Sequence, residues 1–453
     1  MSDLADAELF PLPLAPFEQY MLTDDCAAYP ADFFVRLRFA GRMDRPALEA
    51  AAAAAVQRHP LLRAVVRAKG KGRFEWVPAD SPNLPITWHA GARPASSAAD
   101  LHIDLYKQTG WHIHVVEQDD QAEMFCQFHH ACCDGLGAMR FIEDVLAGYH
   151  NALSPPGAGQ GLRRLDPGRL RHRGKLGMNP LRYLLRVHKE LLGLLGSTEY
   201  FVHRPAPLAG SAPPPDSAAG EFPAIVAHTF SAADTGNLRK VVAQIGGTVN
   251  DLLLRDLFLV ISAWNVGRDP RLRNRFLRIM IPTNLRTAGD EATPAANVVS
   301  MVHLDRRPHG ASSLRGLSRL ARLEMRICKN WRLGLTTIHY MRLFRLFPGG
   351  LRRLIPTHRC LATTVLSNLG DITREMGLPR REGRLVAGNL TLEVIDAVPP
   401  IRTMTYATFA VIFYAGRLTI ALHYDARRFT CADGADLLHC FVRQIETSLQ
   451  QLV

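Results

Sequence analysis

The segment FCQFHHACCDGLGAMRFIED, residues 125–144, constrains the fold more than any other part of the chain. An apolar run ends there in two adjacent histidines, His129 and His130, and an Asp-Gly pair then begins an amphipathic pattern typical of a helix. Three interpretations fit these residues: a general base, a metal site, or a structural turn whose polar side chains are merely neighbours. The rest of the chain has to decide among them.

Strand-like and helix-like patterns alternate on both sides of this segment and predict two α/β lobes. A chain of 453 residues is too long for one ordinary core and long enough for two lobes of about 200 residues each. Proline, glycine and serine interrupt both periodicities over much of 155–222, which predicts connectors around an amphipathic helix at 181–196. We therefore expect an N-terminal lobe at 1–165, a connector with this helix at 166–222, and a C-terminal lobe at 223–453.

Capping signals and periodicity predict the individual elements. Helices are expected to begin after Asp44, Asp134, Ser231 and Thr248, with a further helical region at 312–353. Strands are expected at 35–39, 73–77, 111–118, 123–130 and 225–230, with two more inside 407–425; 278–286 and 363–370 are further short segments of the second lobe. Strands that feed helices in this way are typical of an α/β fold.

The order of strand, polar crossing, Asp-Gly and amphipathic helix occurs again near the end of the chain, in IALHYDARRFTCADGADLLHCFVRQI. This repetition predicts an old duplication of one α/β lobe. The second copy carries His423, Tyr424 and Asp425 at the end of its strand and lacks the adjacent histidine pair. We therefore expect one site per chain, in the first copy.

Basic residues outnumber acidic ones, 54 to 42, and leave a formal net charge of +12. This surplus suits an anionic partner, such as a phosphate-bearing thioester carrier, a membrane surface or a nucleic acid. Because the basic residues are dispersed and no nucleic-acid-binding motif occurs, nucleic-acid binding is not expected. The arginines between Arg315 and Arg359 either meet an anionic partner or form a solvated basic helix face.

Cysteine usage and hydropathy predict a cytoplasmic protein. Eight cysteines in a chain of this length favour reduced thiols over a disulfide scaffold. Residues 1–20 lack the pattern of a signal peptide, and no run of about 18 apolar residues occurs. The leucines of 181–196 recur at helical spacing opposite basic residues, which favours a helix that covers a core; peripheral contact with a membrane surface is the alternative.

The motif HHACCDG, residues 129–135, fits the pattern His-His-x-x-x-Asp-Gly. With it the chain resembles the CoA-dependent acyltransferase superfamily, which includes chloramphenicol acetyltransferase, nonribosomal peptide condensation domains, wax ester synthase/diacylglycerol acyltransferases and polyketide-associated acyltransferases. FPLPLAPFEQY at 10–20, TVNDLLL at 248–254 and IPTNLR at 281–286 resemble further segments of the same superfamily. The resemblance implies two chloramphenicol-acetyltransferase-like lobes with mixed sheets and flanking helices, and an active-site tunnel at their interface.

His130 is the predicted catalytic base. Acyl transfer from a thioester requires the acceptor to lose a proton, and a neutral imidazole suits that task near pH 7. Because successive side chains at a strand end point to opposite faces, His129 and His130 cannot both face one channel. The resemblance implies that His130 is the base and that His129 is a supporting residue of the site. The thioester is already activated, so direct attack without a covalent acyl-enzyme is expected.

The resemblance also implies roles for residues around the histidine. Asp134 is expected to pair with Arg286 and hold the fold, rather than to orient the imidazole as a triad member. Gly135 either leaves room for a pantetheine arm or is simply a glycine at a helix start. Ser367 and Asn368 are candidates for stabilising the oxyanion or lining the tunnel, with a turn at a strand end as the alternative.

A metal site is the competing interpretation of the motif. Adjacent ligands on an extended segment point apart, and neither the histidine pair nor the pair Cys132 and Cys133 has the spacing of a zinc knuckle. No metal is therefore expected, and the two cysteines are expected to act as small filler residues in the crossing.

The sequence departs from peptide condensation domains because their second-lobe Asp-Phe-Gly-Trp-Gly signature is absent from it, and no attached carrier or adenylation domain is expected. We therefore expect an acyltransferase that moves an acyl group from acyl-CoA or a phosphopantetheinyl acyl carrier protein to a small alcohol or amine, with no bound cofactor. Two alternatives remain: a freestanding amide-forming condensation enzyme, and a non-catalytic protein of the same fold that binds an acyl group or a carrier.

Overall fold

The computed structural model describes residues 9–70, 72–80, 84–155, 159–211, 221–244, 246–307 and 314–452. Residues 156–158 and 212–220, which fall in the expected connectors, and positions 312–313 of the expected helical region lie outside the described residues, as does the side chain of Arg315.

The described residues form mixed sheets flanked by helices. Strands β1–β16 cover Leu12–Pro13, Asp32–Ala40, Ala64–Ala68, Phe74–Pro78, Ile86–Ala90, Trp111–Gln118, Gln121–His129, Ala224–Thr229, Leu277–Asn284, Val299–Arg306, Thr364–Gly370, Arg380–Arg381, Arg384–Ala387, Leu390–Val398, Ala407–Tyr414 and Arg417–Tyr424. Helices α1–α11 cover Pro16–Asp24, Arg45–Gln57, Ala98–Leu101, Gly135–Leu153, Pro180–Val202, Ala232–Gln244, Val249–Arg268, Leu314–Asn330, Gly334–Phe344, Gly350–Leu354 and Cys431–Leu452. The predicted α/β fold class is confirmed.

A seven-stranded sheet carries the histidine motif. Its strand order is β12-β13-β14-β2-β7-β6-β5, and all neighbours are antiparallel except β5 and β6. Helix α4 follows β7 and packs on α2, whose run of alanines permits close approach. A Cβ added at Gly148 of α4 would lie 3.1 Å from the Cβ of Ala51.

A six-stranded sheet forms the centre of the second half, in the order β10-β9-β11-β15-β16-β8. Its core side chains pack against α7 and α11, as Phe409 of β15 does against Phe441 of α11, with ring centroids 5.3 Å apart. A smaller sheet, β1-β4-β3, completes the first half.

Strand β14 joins the first sheet although it comes late in the chain. It pairs with β2, and Arg36 donates to Asp396 across the pair, with Nη2 2.6 Å from Oδ2. The expected C-terminal lobe at 223–453 therefore contributes 390–398 to the sheet of the first lobe, because β2 offers an open edge beside β7. The lobe boundaries otherwise stay a prediction.

Local signals located most elements correctly. Asp44 caps α2 by accepting from the Ala47 amide at 2.8 Å, and Thr248 and Asp251 form the expected capping box at the start of α7. The expected helical region at 312–353 contains three helices, α8, α9 and α10. Sequence reasoning missed several strands, among them β3, β5, β10 and β14.

The amphipathic helix expected at 181–196 is present as α5, but its orientation contradicts the prediction that it covers a core. Leu181, Leu184, Leu185 and Leu191 are each more than half exposed. Within the described part of the chain, none of the helices combines the length and the apolar content that crossing a bilayer requires.

Candidate active site

The histidine motif lies at the junction between β7 and α4. Strand β7 ends at His129, which is paired with Asp32 of β2, and the next amide, that of His130, donates to the carbonyl of Ala31 at 2.8 Å. Asp134 then caps α4 through the amide of Gly137. The strand end and the helix start therefore hold the seven-residue motif in a tight crossing.

The two histidines differ in access, as the alternation of side chains at a strand end predicts. The side chain of His129 is completely buried, and its Nδ1 accepts from the Ala131 amide at 3.0 Å. The side chain of His130 is partly exposed and packs beside Phe33 and Phe17, with ring centroids 5.0 and 6.4 Å away. Of the pair, His130 is the more accessible.

A residue from the second half of the chain, Asn297, contacts both the backbone and the ring of His130. The side-chain Nδ2 of Asn297 donates to the backbone carbonyl of His130 at 2.5 Å. The same nitrogen lies 3.3 Å from Nδ1 of the His130 ring. Burial lowers the pKa of His130 below its ordinary value, although its own carbonyl and the charge of Asp134 oppose that shift. The ring is therefore neutral near pH 7, which is the state that a general base needs.

Asp134 and Arg286 form a buried, bidentate ion pair, which is the pairing implied by the resemblance. Arg286 donates to both carboxylate oxygens, at 2.7 and 2.9 Å, and also to the carbonyl of Ala296 at 3.0 Å. The amides of Val298 and Gly137 donate to the same carboxylate, each at 2.8 Å. Burial alone would raise the pKa of Asp134, but Arg286 and these amides hold it below its usual range. The pair ties the start of α4 to the 286–298 segment.

Glycines allow close contact between α4 and the second half of the chain. A Cβ added at Gly135 would lie 3.1 Å from Cδ2 of Leu369, at the end of β11. The fit at Gly137 is tighter, because a Cβ there would lie 2.8 Å from the Ala296 carbonyl oxygen. Sequence reasoning singled out Gly135 and missed Gly137, the tighter of the two positions.

Ser367 and Asn368 lie on β11, between β9 and β15, and both are partly buried. The side chain of Asn368 accepts from the Gly370 amide at 3.0 Å and faces that of Asn250 at 3.4 Å. Among the described hydrogen bonds, none joins either residue to the histidine. Their neighbour Leu369 is the β11 residue that reaches the motif.

A cavity of about 310 Å³ opens where the start of α4 meets the end of β11. Its walls combine apolar side chains with charged ones of both signs, including Leu136, Arg140, Arg163, Leu369 and Arg374. This opening lies beside Gly135, because Leu369 borders both. The expected tunnel at the lobe interface stays a prediction.

A second cavity, of about 250 Å³, lies beneath α5 and is lined mainly by apolar and aromatic side chains, among them Tyr20, Met301, His303, Ile327 and Tyr340. Burial lowers the pKa of His303 to about 3, so this ring adds no charge to the lining. Tyr20 stacks on Phe17 with ring centroids 5.7 Å apart. Since Phe17 also packs beside His130, two aromatic rings connect this cavity to the motif.

Two carboxylates lie near His129 and were not found from the sequence: that of Asp25 is partly buried and that of Asp32 is fully buried. Asp25 accepts from Nε2 of His102 at 2.7 Å and lies 3.6 Å from Nε2 of His129. Burial raises the pKa of Asp32 to about 6, although Gln127 donates to it at 2.7 Å. His129 thus belongs to a buried polar cluster, which fits a supporting place rather than contact with substrate.

The cysteines of the motif are packed inside the crossing. Cys132 and Cys133 are fully buried, and a Cβ added at Gly110 would lie 2.8 Å from Sγ of Cys132. Across the described ranges, no group of three or more His, Cys, Asp or Glu side chains is arranged to hold a metal ion.

Comparison with known proteins found relatives of low sequence identity. No family model matches the chain. Two uncharacterized proteins of Mycobacterium tuberculosis, Rv2305 and MT2362, are each 26% identical to it over 306 residues, which are 64% of this chain and 65% of theirs. The chain therefore matches a little less than two thirds of the length of these relatives.

Solved structures show a much wider match. The first condensation domain of the CDA synthetase has a TM-score of 0.67 at 13% identity, over 98% of this chain and 96% of that one. A mutant starter condensation domain of rhizomide synthetase, in complex with C8-CoA and Leu-SNAC, has a TM-score of 0.66 at 13% identity, over 99% of this chain and 96% of that one. Polyketide synthase associated protein 5 from Mycobacterium tuberculosis has a TM-score of 0.64 at 16% identity, over 98% of this chain and 99% of that one.

The chain has the fold of the condensation domains and of polyketide synthase associated protein 5. At the level of the fold, this confirms the resemblance carried by the HHACCDG motif. In the condensation-domain fold of this chain, His130 and Asn297 come from different halves and meet at the motif.

Proposed function

We propose that the chain is an acyltransferase that moves an acyl group from a CoA or phosphopantetheinyl carrier thioester to a small alcohol or amine. The observation that carries this proposal is the setting of His130. Its ring is partly exposed, its pKa is lowered, and its Nδ1 side is held by the protein. Nε2 is therefore the nitrogen that we assign to the acceptor.

The reaction needs one proton acceptor and no covalent acyl-enzyme. Nε2 of His130 takes the proton of the acceptor O–H or N–H as that atom attacks the thioester carbonyl. The tetrahedral intermediate then expels the thiolate, and the imidazolium returns its proton to sulfur, so that ester or amide and free thiol leave together. A positioned base of this kind typically contributes about 10²–10⁴ in rate. No bound cofactor takes part in this scheme.

Residues around His130 are assigned supporting roles. Asp134 and Arg286 hold the crossing in place, and His129 anchors the strand end from the buried side. Gly135 leaves space for the pantetheine arm beside the 310 Å³ cavity, whose arginines suit the donor's phosphates. Ser367 and Asn368 are proposed to line the tunnel or to stabilise the oxyanion.

The apolar cavity beneath α5 suits the acyl chain of the donor. Its lining is mainly apolar, and the rings of Tyr20 and Phe17 connect it to His130. The solved rhizomide synthetase domain, which has this fold, is in complex with C8-CoA and Leu-SNAC, an observation that supports an acyl thioester as the donor here.

We propose a cytoplasmic setting, because all eight cysteines of the chain are free thiols in the structure. Peripheral contact with a membrane is a separate proposal, argued below from α5.

Amide formation of the condensation type is the second candidate, favoured by condensation domains among the solved structures of this fold. The acceptor distinguishes it from ester formation. A non-catalytic protein that binds an acyl group or a carrier is the third candidate, and the absence of any thiol release would favour it.

Release of free thiol from a panel of acyl-CoA and acyl-carrier donors, with pooled alcohols and amines, tests the proposal. We expect release with at least one donor, its near-complete loss in His130→Ala, and no change in the matched surface variant His358→Gln. The rate is also expected to persist at pH 6.5 and to fall only at more acidic pH, since the pKa of His130 is lowered. Release that survives His130→Ala would refute the assignment of the base.

A further inference from the structure

Helix α5 turns the polar residues Arg186 and Glu190 toward the protein. Arg186 donates to the carbonyl of Trp331 at 2.9 Å, and Glu190 accepts from the hydroxyl of Thr336 at 3.0 Å. Glu190 also lies 3.0 Å from Nδ1 of His339 and 3.2 Å from Nη2 of Arg186, and the guanidinium matches its charge inside the fold. The helix is therefore attached mainly through hydrogen bonds and ion pairs.

The opposite face of α5 carries a row of exposed leucines. Leu181, Leu184, Leu185 and Leu191 are 64%, 70%, 64% and 56% exposed. Spaced at three, four and seven residues, they form one stripe along the helix. An ordinary surface helix buries such a stripe, and a contiguous exposed apolar surface marks a binding site. We call this row the leucine stripe.

The apolar surface continues onto the end of α9. Tyr183 of α5 accepts a hydrogen bond from Arg342 of α9, which places the end of α9 beside the N-terminal half of α5. Leu343, Leu346 and Phe347 follow directly and are all more than half exposed. The exposed apolar surface is thus not confined to one helix.

The helices around the stripe are strongly basic. Residues 314–359 contain eleven lysines and arginines against a single acidic residue, Glu324, which is paired with Arg306. Arg326 and Lys329 of α8 are exposed, as are neighbouring arginines of α10. Exposed leucines flanked by exposed basic residues are the pattern of a helix that lies in the interface of an anionic bilayer.

We propose that the leucine stripe docks on the surface of an anionic lipid bilayer, with α5 lying flat in the interface. A second copy of the chain would bring two such basic regions together, and their repulsion opposes that pairing. An acidic protein would match the basic residues, but a leucine row along a helix of 23 residues, about 34 Å long, suits the extended plane of a bilayer interface better. A lipid surface satisfies both features at once.

Docking on this face would also bring the bilayer over the apolar cavity beneath α5. That link to an acyl chain rests on the proposed function. The docking itself rests only on the stripe and the basic residues, so the two can fail separately.

Vesicle flotation with the full chain tests the proposal. We expect the protein to float with vesicles of phosphatidylcholine mixed with phosphatidylglycerol, to bind phosphatidylcholine alone more weakly, and to lose the difference at high salt. Combined substitution of Leu184→Gln, Leu185→Gln and Leu191→Gln should weaken binding about tenfold or more, because less apolar surface enters the interface. Combined Arg326→Gln and Lys329→Gln should reduce binding to the anionic vesicles alone.

The double variant Leu153→Gln and Leu162→Gln is the matched control, since both side chains are also exposed but belong to the end of α4 and the segment after it; its binding should be unchanged. Thiol release with a short-chain acyl-CoA in solution should survive in the triple leucine variant, which separates this proposal from the proposed function. Vesicle binding that is indifferent to the leucine substitutions overturns the proposal. So does a wild-type dimer, measured by light scattering, that those substitutions convert to a monomer without any vesicle binding.

Discussion

The two strand-to-helix junctions of the chain, β7 to α4 and β16 to α11, follow the same plan around different histidines. His130 is partly exposed and lies beside the contact between the halves. His423 is 1% exposed and donates from Nδ1 to the carbonyl of Pro399 at 2.7 Å. Burial lowers the pKa of His423 to about 4, despite the opposing effects of that carbonyl and of Asp425. The difference shows that a strand-end histidine becomes a candidate base only where the fold leaves its ring accessible.

The largest expected difference between the two junctions is in the turnover rate of variants at their histidines. His130→Ala should reduce the rate of thiol release about 10²–10⁴-fold, because the acceptor loses its base, while the melting temperature changes little. His423→Ala should leave the rate per folded molecule unchanged and lower the melting temperature, because it empties a buried site. Steady-state kinetics together with thermal unfolding would measure both. A large loss of turnover in His423→Ala would show that the second junction is not merely structural.

The aspartates of the two junctions should differ in their effect on stability. Asp134→Asn strands the buried charge of Arg286 and should cost about 3–5 kcal/mol of unfolding free energy. Asp433 accepts from the amide of Thr430 at the start of α11, and its partner Arg268 is about one third exposed. Asp433→Asn should therefore cost only about 1 kcal/mol. Urea unfolding gives both values, and equal losses would contradict this distinction.

The buried His423 should make the stability of the chain depend on pH. Its pKa is lower in the folded chain than the ordinary value of 6.5, so the unfolded chain binds the proton more tightly between pH 6.5 and about pH 4. Stability therefore falls as the pH falls through that window, by about 3 kcal/mol from this residue. His423→Gln should remove that part of the slope. Parallel curves for the variant and the wild type would be inconsistent with a neutral, sealed His423.

The smallest effect is expected at the two glycines. A Cβ at Gly135 would meet only the flexible end of Leu369, at 3.1 Å, so Gly135→Ala should change stability by less than about 1 kcal/mol. A Cβ at Gly434 would lie 2.5 Å from Cε1 of Tyr424, and Gly434→Ala should cost about 1–3 kcal/mol. If Gly135 borders the pantetheine arm, its variant should raise KM for the donor. An unchanged KM would leave Gly135 as a helix-start glycine.

Local features of the fold could be predicted from the sequence. The N-caps at Asp44 and Thr248 and the strand that ends at His129 depend on neighbouring residues, so patterns of a few residues were sufficient. The Asp134–Arg286 pair, 152 residues apart along the chain, was expected only because the motif resembles a known superfamily.

Features that depend on packing could not be predicted in this way. Asn297 is 167 residues from His130, and no pattern around it indicates contact with a histidine. The periodicity of α5 showed an apolar face and a polar face but not which of them contacts the protein. That choice follows from the polar partners Trp331, Thr336 and His339, which are distant in sequence.

The late strand in the first sheet has a consequence during protein synthesis. Arg36 meets Asp396 only after 360 further residues have been made, so β2 waits with one unpaired edge while the ribosome completes the chain. A fragment that stops at the connector would keep that edge permanently and would be prone to join the edge of another molecule. Expression of the first half by itself is therefore expected to yield aggregates, which coexpression with the second half should reduce.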